Sequence, residues 1–363
     1  MSKIIVDSKQ LSCNVEGIKN RINVDKFFYA MKANSDPIVL KELYSMGCNF
    51  EVASLNEYNK AIQVGAKPEN IICGLPVKPI DFLKSIENSK IGYLIFDNIN
   101  EYNKLRQYSN DIKKIMRIYV SDIDKESHPW GMKIEELEKM KSNTDFFESI
   151  DGISFHISRN FQIKKMQKVF DRIEYIVDHF FVDREMIINI GGGIRDKLPP
   201  HLAMKYDLDL FYESINNRIE ELRRYRNVVV YCEPGRGIVE TACHIITNVE
   251  LASKIDGQEV VFIDLNIGLP VGSTPYRITV LKDREEEEVY NIQNRGRDDC
   301  TVNITFFDTI CEYEYIFTLP MKRKLLLGER IKMYGMGAYT TCRSSAFHAR
   351  DLLVTEKEEI NKI

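Results

Sequence analysis

Phe27-Phe28-Tyr29-Ala30-Met31-Lys32-Ala33-Asn34-Ser35 sets a lysine directly behind an apolar, aromatic run. Phe27–Met31 reads as a buried strand, so Lys32 falls where that strand ends. An amine there is partly desolvated, which lowers its pKa and frees its lone pair for a carbonyl. A Schiff-base lysine needs that state; an ordinary lysine after a strand is a solvated loop residue.

Outward from this stretch, Pro37–Met46 has helical spacing and closes at Gly47. Asn49–Ala53 is the next strand, and Leu55–Val64 a helix closing at Gly65. Ile71–Cys73, Gly92–Phe96, Ile115–Val120, Gly152–His156, Met186–Ile190 and Asn227–Cys232 continue the strands. Long helical patterns cover Phe161–Phe181 and Leu208–Arg224. The alternation predicts βαβ units and a parallel sheet. About eight units in about 220 residues fit a (β/α)8 TIM-like barrel better than an open doubly wound sheet. Function in such a barrel sits at the C-terminal ends of the strands. Lys32, Glu51, His156, Gly191 and Glu233 fall at or just after such ends. From about residue 246 the long helices stop. Val260–Asp264, Tyr276–Leu281, Glu288–Asn291, Cys300–Phe307, Tyr315–Phe317 and Arg330–Met333 predict a C-terminal antiparallel β domain, joined by Lys3–Val6. The expected division is a barrel over 24–245 and a β domain made of 1–23 plus 246–363.

Composition narrows the function classes. The chain has 363 residues, enough for two domains, with 44% hydrophobic and 29% charged residues. A net charge of −4 gives no electrostatic case for nucleic acid or an anionic membrane as partner. No stretch is apolar and long enough to span a bilayer, and Met1–Asp7 has no apolar signal core. The eight cysteines form no C-x-x-C pair. Free thiols and a cytoplasmic location are the expectation. The acidic run Glu285–Glu288 reads as a solvated turn.

Three motifs carry chemistry. Glu233-Pro234-Gly235-Arg236-Gly237 follows the strand Val228–Cys232. An acid at a strand end, a tight turn and an arginine between glycines make a phosphate-side constellation. Its plainer alternative is a strand-to-helix turn with a surface ion pair. Gly191-Gly192-Gly193 frees successive backbone N–H groups for an anion, without the G-x-G-x-x-G spacing of a dinucleotide site. His156 ends Ser154-Phe155-His156; it is either a satisfied core ring or one that stacks on a flat cofactor.

Tyr29-Ala30-Met31-Lys32-Ala33-Asn34, Val52-Ala53-Ser54-x-x-Glu57, Ser154-Phe155-His156, Gly191-Gly192-Gly193, Glu233-Pro234-Gly235-Arg236 and Met336-Gly337-Ala338-Tyr339-Thr340 occur in that order. In this ordered set the chain resembles the fold-type III pyridoxal-phosphate decarboxylases, the ornithine/diaminopimelate decarboxylase group. Their fold is the alanine-racemase-like pair of a barrel and a β domain. The resemblance implies that Lys32 holds pyridoxal 5'-phosphate as a Schiff base. Glu233 would keep the pyridine nitrogen protonated, making the ring an electron sink for decarboxylation of a small amino acid. His156 would stack on the ring. Gly191 to Gly193, Gly235, Arg236 and Tyr339 would hold the phosphate. Arg117 and Glu51 match family positions near the cofactor. It also implies a homodimer with shared active sites, in which Tyr339 reaches the site only on assembly and Phe347 lies at the same interface. Asp264 and Asp308 match positions that meet the distal end of the substrate, where two carboxylates suit an ammonium or guanidinium group. Asp264 alternatively caps a turn.

The departures from the family pattern lie on the substrate side. Phe307 stands where the family usually carries a proton-donating cysteine, leaving water, Cys311 or another group to donate. Arg159, in Ile157-Ser158-Arg159-Asn160, replaces a small serine. It is a phosphate or substrate contact, or a solvated loop arginine. Asn266-Ile267-Gly268-Leu269-Pro270 differs from the usual glycine-aromatic segment. The expected activity is decarboxylation of an amino acid with a basic distal group, as in ornithine, lysine or arginine, or of a specialised-metabolite or carrier-linked derivative. Two rivals remain. A racemase of the same fold tends to place arginine, not Glu233, at the ring nitrogen. A non-catalytic regulatory homologue would be expected to lose Lys32 or Glu233.

Overall fold

In the computed structural model the described residues are 2–108, 112–125, 129–157, 162–182, 184–198, 200–203, 205–265, 274–283, 285–294, 300–309, 316–340, 342 and 354–358. After the first strand, β1 (Lys3–Val6), eight parallel strands close into a barrel. They are β2 (Lys26–Ala30), β3 (Asn49–Val52), β4 (Ile71–Cys73), β5 (Tyr93–Phe96), β6 (Lys113–Arg117), β7 (Gly152–Ser154), β8 (Met186–Asn189) and β9 (Val228–Cys232). Closure is made by β2 on β9, with Lys26 opposite Tyr231 and Phe27 opposite Cys232.

Alternation along these strands divides the core into two. Phe28, Ile72, Tyr93, Ile95, Ile115, Ile187 and Tyr231 fill the barrel interior. Phe28, Tyr93 and Tyr231 meet there with ring centroids 5.5–5.9 Å apart. The intervening residues, such as Tyr29, Phe50, Leu94, Met116 and Ile188, belong to the larger core shared with the surrounding helices. The helix Ile163–Phe180 buries Met166, Val169, Phe170, Ile173, Ile176 and Val177, a single apolar stripe. Leu208–Tyr225 does the same with Phe211, Tyr212, Ile215, Ile219 and Leu222.

The second sheet contains β10 (Cys243–Ile255), β11 (Gln258–Ile263), β12 (Arg277–Leu281), β13 (Glu286–Asn291), β14 (Val302–Asp308), β15 (Phe317–Met321), β16 (Arg330–Tyr334) and β17 (Val354–Lys357). Its order is β13-β12-β16-β10-β11-β14-β15, with β1 joining β10 and β17. Pairing is antiparallel except between β11 and β14 and between β1 and β17. The sheet begins at Cys243, slightly before the expected change of pattern. Among the described residues 2–23, Lys3–Val6 is the segment that pairs with this sheet as a strand. The helix Ser8–Arg21, capped by Asp7, packs on the barrel instead: Asn14 donates to the Ile238 carbonyl and Arg21 to the Asp196 carbonyl.

The acidic run is not a solvated turn. Glu286 to Glu288 lie in β13, where Glu287 is forked by Arg323, Glu288 pairs with Lys322, and Glu286 accepts from Tyr334. Opposed cations turn the like-charged run into a paired edge. No helix among the described residues is long and apolar enough to cross a membrane.

Candidate active site

The strand ends converge on one mouth of the barrel. Lys32 sits in a single 3-10 turn, Met31–Ala33, directly after β2. That turn is fixed from three sides: Ala30 N–H donates to the Pro234 carbonyl, Tyr29 Oη to the Asn34 carbonyl, and Tyr339 N–H to the Ala33 carbonyl. Glu51 is the penultimate residue of β3 and is buried. Behind it, Ser54 and Glu57 cap the helix Leu55–Gln63: Glu57 N–H donates to Ser54 Oγ, and Ala53 N–H to Glu57 Oε2. The Val52-Ala53-Ser54-x-x-Glu57 motif therefore acts as a helix start that holds Glu51 in place.

Lys32, Glu51, Gly74, Ile95, Arg117, Ser154, Phe155, His156 and Glu233 line a cavity of about 90 Å³. A chamber of about 360 Å³ shares Lys32, Glu51, Gly74, Arg117 and His156 with it, and extends between Leu75, Pro76, Asp124 and Trp130. Lys32 Nζ lies 3.2 Å from Glu51 Oε2. The Lys32 side chain is 43% exposed within this opening, against 1% for Glu51, so the amine is reachable while its partner is not. Burial works against the Lys32 charge, but Glu51 and then Glu233 outweigh it, and the lysine pKa lies well above its ordinary value. The lowered pKa expected from sequence is thus reversed: two carboxylates facing one amine hold it as ammonium.

Glu233 follows β9. Its N–H donates to the Gly191 carbonyl, and Asn189 Nδ2 donates to Glu233 Oε1 at 2.6 Å. Burial, reinforced by Glu51, pushes its carboxyl up to about 7, against opposing pulls from Lys32, Asn189 and Arg117. Asn189 also accepts from Gly191 N–H at 3.0 Å, so one amide sets both the acid and the glycine loop. Sequence reading missed Asn189; its signal was a polar residue closing an otherwise apolar strand. Gly191 has φ +68°, and a Cβ there would meet the Phe155 carbonyl oxygen at 2.3 Å. A Cβ on Gly192 would touch the His156 ring at 3.4 Å, which sets that ring against the loop.

Arg236 donates to Glu240 at 2.9 Å and stands 4.7 Å over the Tyr339 ring. Tyr339 corrects one expectation. It was to reach the site only through a second copy, yet it meets Ala33 and Arg236 of its own chain. The cause is the turn at Gly335, φ +86°, after β16. From there Met336 N–H bonds the Cys243 carbonyl, Gly337 N–H the Glu240 carbonyl, and Asn34 Nδ2 the Gly337 carbonyl. Arg117 ends β6, with NH1 3.6 Å from Asp97 Oδ2. Asp97, also missed, directly follows β5.

Asp264, Phe307 and Asp308 are not among the residues lining either chamber. Asp308 ends β14 opposite Ile263; its Oδ1 accepts from Thr309 N–H at 2.7 Å and Leu265 N–H at 3.4 Å. Phe307 faces the other side of the strand and stacks on Phe262, centroids 5.4 Å apart. Asp264 lies just past β11, and its carbonyl accepts from Thr247. Arg159, Phe347, Cys311 and the segment Asn266–Pro270 lie outside the described residues.

These residues fit pyridoxal phosphate. The buried Ser154 Oγ on the cavity wall has no hydrogen-bond partner. Such an orphan favours a polar occupant. A Cβ at Gly74 would come within 2.3 Å of Glu51 Oε1, so that glycine keeps the cavity open. An amine for an aldehyde, an acid for a ring nitrogen, and glycines with an arginine for a phosphate all belong to the same set of strand ends.

The family model described as pyridoxal-dependent decarboxylase, pyridoxal binding domain, matches residues 9–240. The ornithine decarboxylase of Schizosaccharomyces pombe is 25% identical over 344 residues, covering 88% of this chain and 75% of that protein. The lysine/ornithine decarboxylase of Selenomonas ruminantium is 25% identical over 334 residues, covering 88% and 80%. Among solved structures, the arginine decarboxylase of Paramecium bursaria Chlorella virus superposes with a TM-score of 0.82 at 21% identity, over 98% of this chain and 96% of that one. The diaminopimelate decarboxylase of Helicobacter pylori gives 0.80 at 19% identity, over 99% and 92%. The two structures share the fold; the match across the barrel sequence carries the family, and this chain belongs to the pyridoxal-dependent decarboxylases.

Proposed function

We propose that the chain removes the carboxyl group of an amino acid with a cationic distal group, with Lys32 as the residue that anchors pyridoxal phosphate. The observation that carries this reading is the meeting of Lys32, Glu51, His156, Arg117 and Glu233 around one cavity at the barrel mouth. When bound, the cofactor supplies an electron sink for the pair left as carbon dioxide departs. Glu51 Oε2, 3.2 Å from Lys32 Nζ, holds the amine at the cavity as ammonium, which must give up a proton before it can attack an aldehyde. Glu233 would present its proton to the ring nitrogen, held in line by Asn189. His156 would stack on the ring, packed from behind by the glycine loop. Gly191 to Gly193, Gly235, Arg236 and Tyr339 would take the phosphate. An acid at the Glu233 position supports decarboxylation over racemisation, because a protonated ring is the stronger sink.

The substrate end is proposed to be completed by a second copy of the chain. Asp264 and Asp308 share one end of the β11–β14 pair and line neither chamber that holds the Lys32 of their own chain. In a homodimer with shared sites, those strand ends would enter the partner's chamber and meet an ammonium or guanidinium group. The named relatives that act on ornithine and lysine support a basic substrate.

The test is spectroscopic first. Protein reconstituted with pyridoxal phosphate is expected to absorb in the near-ultraviolet to violet, and Lys32→Ala to lose that band. Carbon dioxide release from ornithine, lysine, arginine and diaminopimelate, followed by mass spectrometry, then ranks substrates. A colourless protein that cannot be reconstituted overturns the reading.

A further inference from the structure

Lys78 is buried completely, with no exposed surface, behind the cofactor cavity. Its ammonium donates to the Leu75 carbonyl at 2.7 Å and to the Ile95 carbonyl, with Glu101 Oε1 at 3.6 Å. Glu101 is fixed in turn: its Oε1 accepts from Lys78 N–H at 2.9 Å, and its Oε2 pairs with Lys104 at 2.6 Å.

The position of this ammonium in the barrel gives it a role. The ladder between β4 and β5 stops at the pair Cys73 and Leu94. One step further on, the chain of β4 leaves as Gly74-Leu75-Pro76, which walls the larger chamber. The chain of β5 continues through Ile95, which walls the smaller one, to Asp97 beside Arg117. Lys78 spans this seam, bonding the carbonyl on each side where the backbone rungs have ended. Burying a cation costs stability, and an apolar residue of the same length would fill the space at lower cost. Burial also pushes the Lys78 pKa down from its ordinary value, so the chemistry retained is the bridge itself.

We infer that Lys78 is a positioning residue for the cofactor: its ammonium replaces the missing rung between β4 and β5, and so sets the gap between the Gly74–Pro76 wall and the Asp97–Arg117 pair. This rests on the cofactor reading above, and the experiment separates the two.

The chain has one tryptophan, Trp130, and it lines the larger chamber, so its fluorescence reports cofactor binding directly. Wild type, Lys78→Met, Glu101→Gln and Leu222→Ala are titrated with pyridoxal phosphate, and the absorption band of each loaded protein is followed against pH. Leu222 is a core residue that touches neither chamber, and so controls for loss of stability alone. Lys78→Met is expected to weaken the cofactor Kd by about 10- to 100-fold and to shift the pH midpoint of the band. Leu222→Ala is expected to leave both within about twofold of wild type. Should Lys78→Met fail to fold, Glu101→Gln decides, with an expected loss of about three- to tenfold. Wild-type Kd and an unshifted band in the folded Lys78 variant, or failing that in Glu101→Gln, overturn the inference. A wild type that quenches no fluorescence and gains no band overturns the cofactor reading and this one with it.

Discussion

The mouth of the barrel and the far end of the β11–β14 pair carry the two halves of the proposed chemistry, and they are built by opposite means. At the barrel mouth each side chain stands at the end of a strand whose register is locked by two parallel neighbours and a closed ring of eight. Asn189, the Ser54–Glu57 cap and the Tyr339 backbone then hold those ends from behind. At the β11–β14 end, Asp308 accepts from two nearby backbone N–H groups, and Phe307 stacks on the Phe262 ring. On the proposed reading, the bond-making geometry is fixed by the closed sheet, whereas substrate choice falls to strand ends outside it. A one-residue step along β14 moves from an aromatic face to a carboxylate.

The largest effects belong to the barrel mouth. Lys32→Ala is expected to lower turnover by on the order of 10⁴-fold, and Glu233→Gln by about 10²- to 10³-fold, with the fold retained in both. Circular dichroism and steady-state rates separate the two outcomes; near-wild-type turnover in either variant breaks the comparison. Glu233 carries a pH signature in the cofactor-free protein as well. Its folded pKa of about 7 stands above the ordinary 4.5, so the folded state holds the extra proton between those values. Its contribution to stability is present below pH 4.5 and is lost as the pH rises through about 7. Glu233→Gln should flatten that part of the melting-temperature profile.

How far the sequence could be read follows the same division. Lys32, Glu51, His156, Gly191 and Glu233 were legible because a parallel barrel puts its chemistry at strand ends, and the strand ends show as apolar runs that stop. Tyr339 was misassigned because nothing in residues 335–340 announces that a turn at Gly335 brings the segment back to the barrel of the same chain. The charge state of Lys32 was misread for a related reason: desolvation is visible from a run of apolar neighbours, but the carboxylates that outweigh it come from β3 and β9. Lys78 lies in none of the motifs and in no apolar stripe; the point where the β4–β5 ladder ends gives it meaning.

An intermediate effect tests the weaker half. Asp308→Asn keeps an acceptor for Thr309 and Leu265 N–H while removing the charge. Under the proposed reading it should raise KM for a basic amino acid by about tenfold, with kcat and the absorption band changed much less. The band reports the barrel mouth and KM the substrate end, so a matched fall in kcat and loss of the band would mean that the two regions are not separable.

The smallest effect lies at the outer edge of the β domain, where ion pairs do the work that packing does in the barrel. Arg323 is forked between Glu287 and Glu329, and Lys282 adds a further contact to Glu287. Arg323, Glu287 and Glu329 are about one-third exposed or less and Lys282 more so, and solvent screens them all, so Arg323→Ala should cost about 1 kcal/mol or less. The hydrogen bonds from Arg323 and Lys282 hold the Glu287 carboxyl down at about 2, below its ordinary 4.5. A depressed folded pKa means that the contribution is present above pH 4.5 and is lost as the pH falls toward 2. Melting temperatures of wild type and Arg323→Ala should therefore differ at pH 7 and converge on acidification, and added salt should narrow the gap at neutral pH. A difference that persists unchanged in acid and in salt would assign the residue a packing role, and would remove the contrast between an ion-paired edge and an apolar barrel.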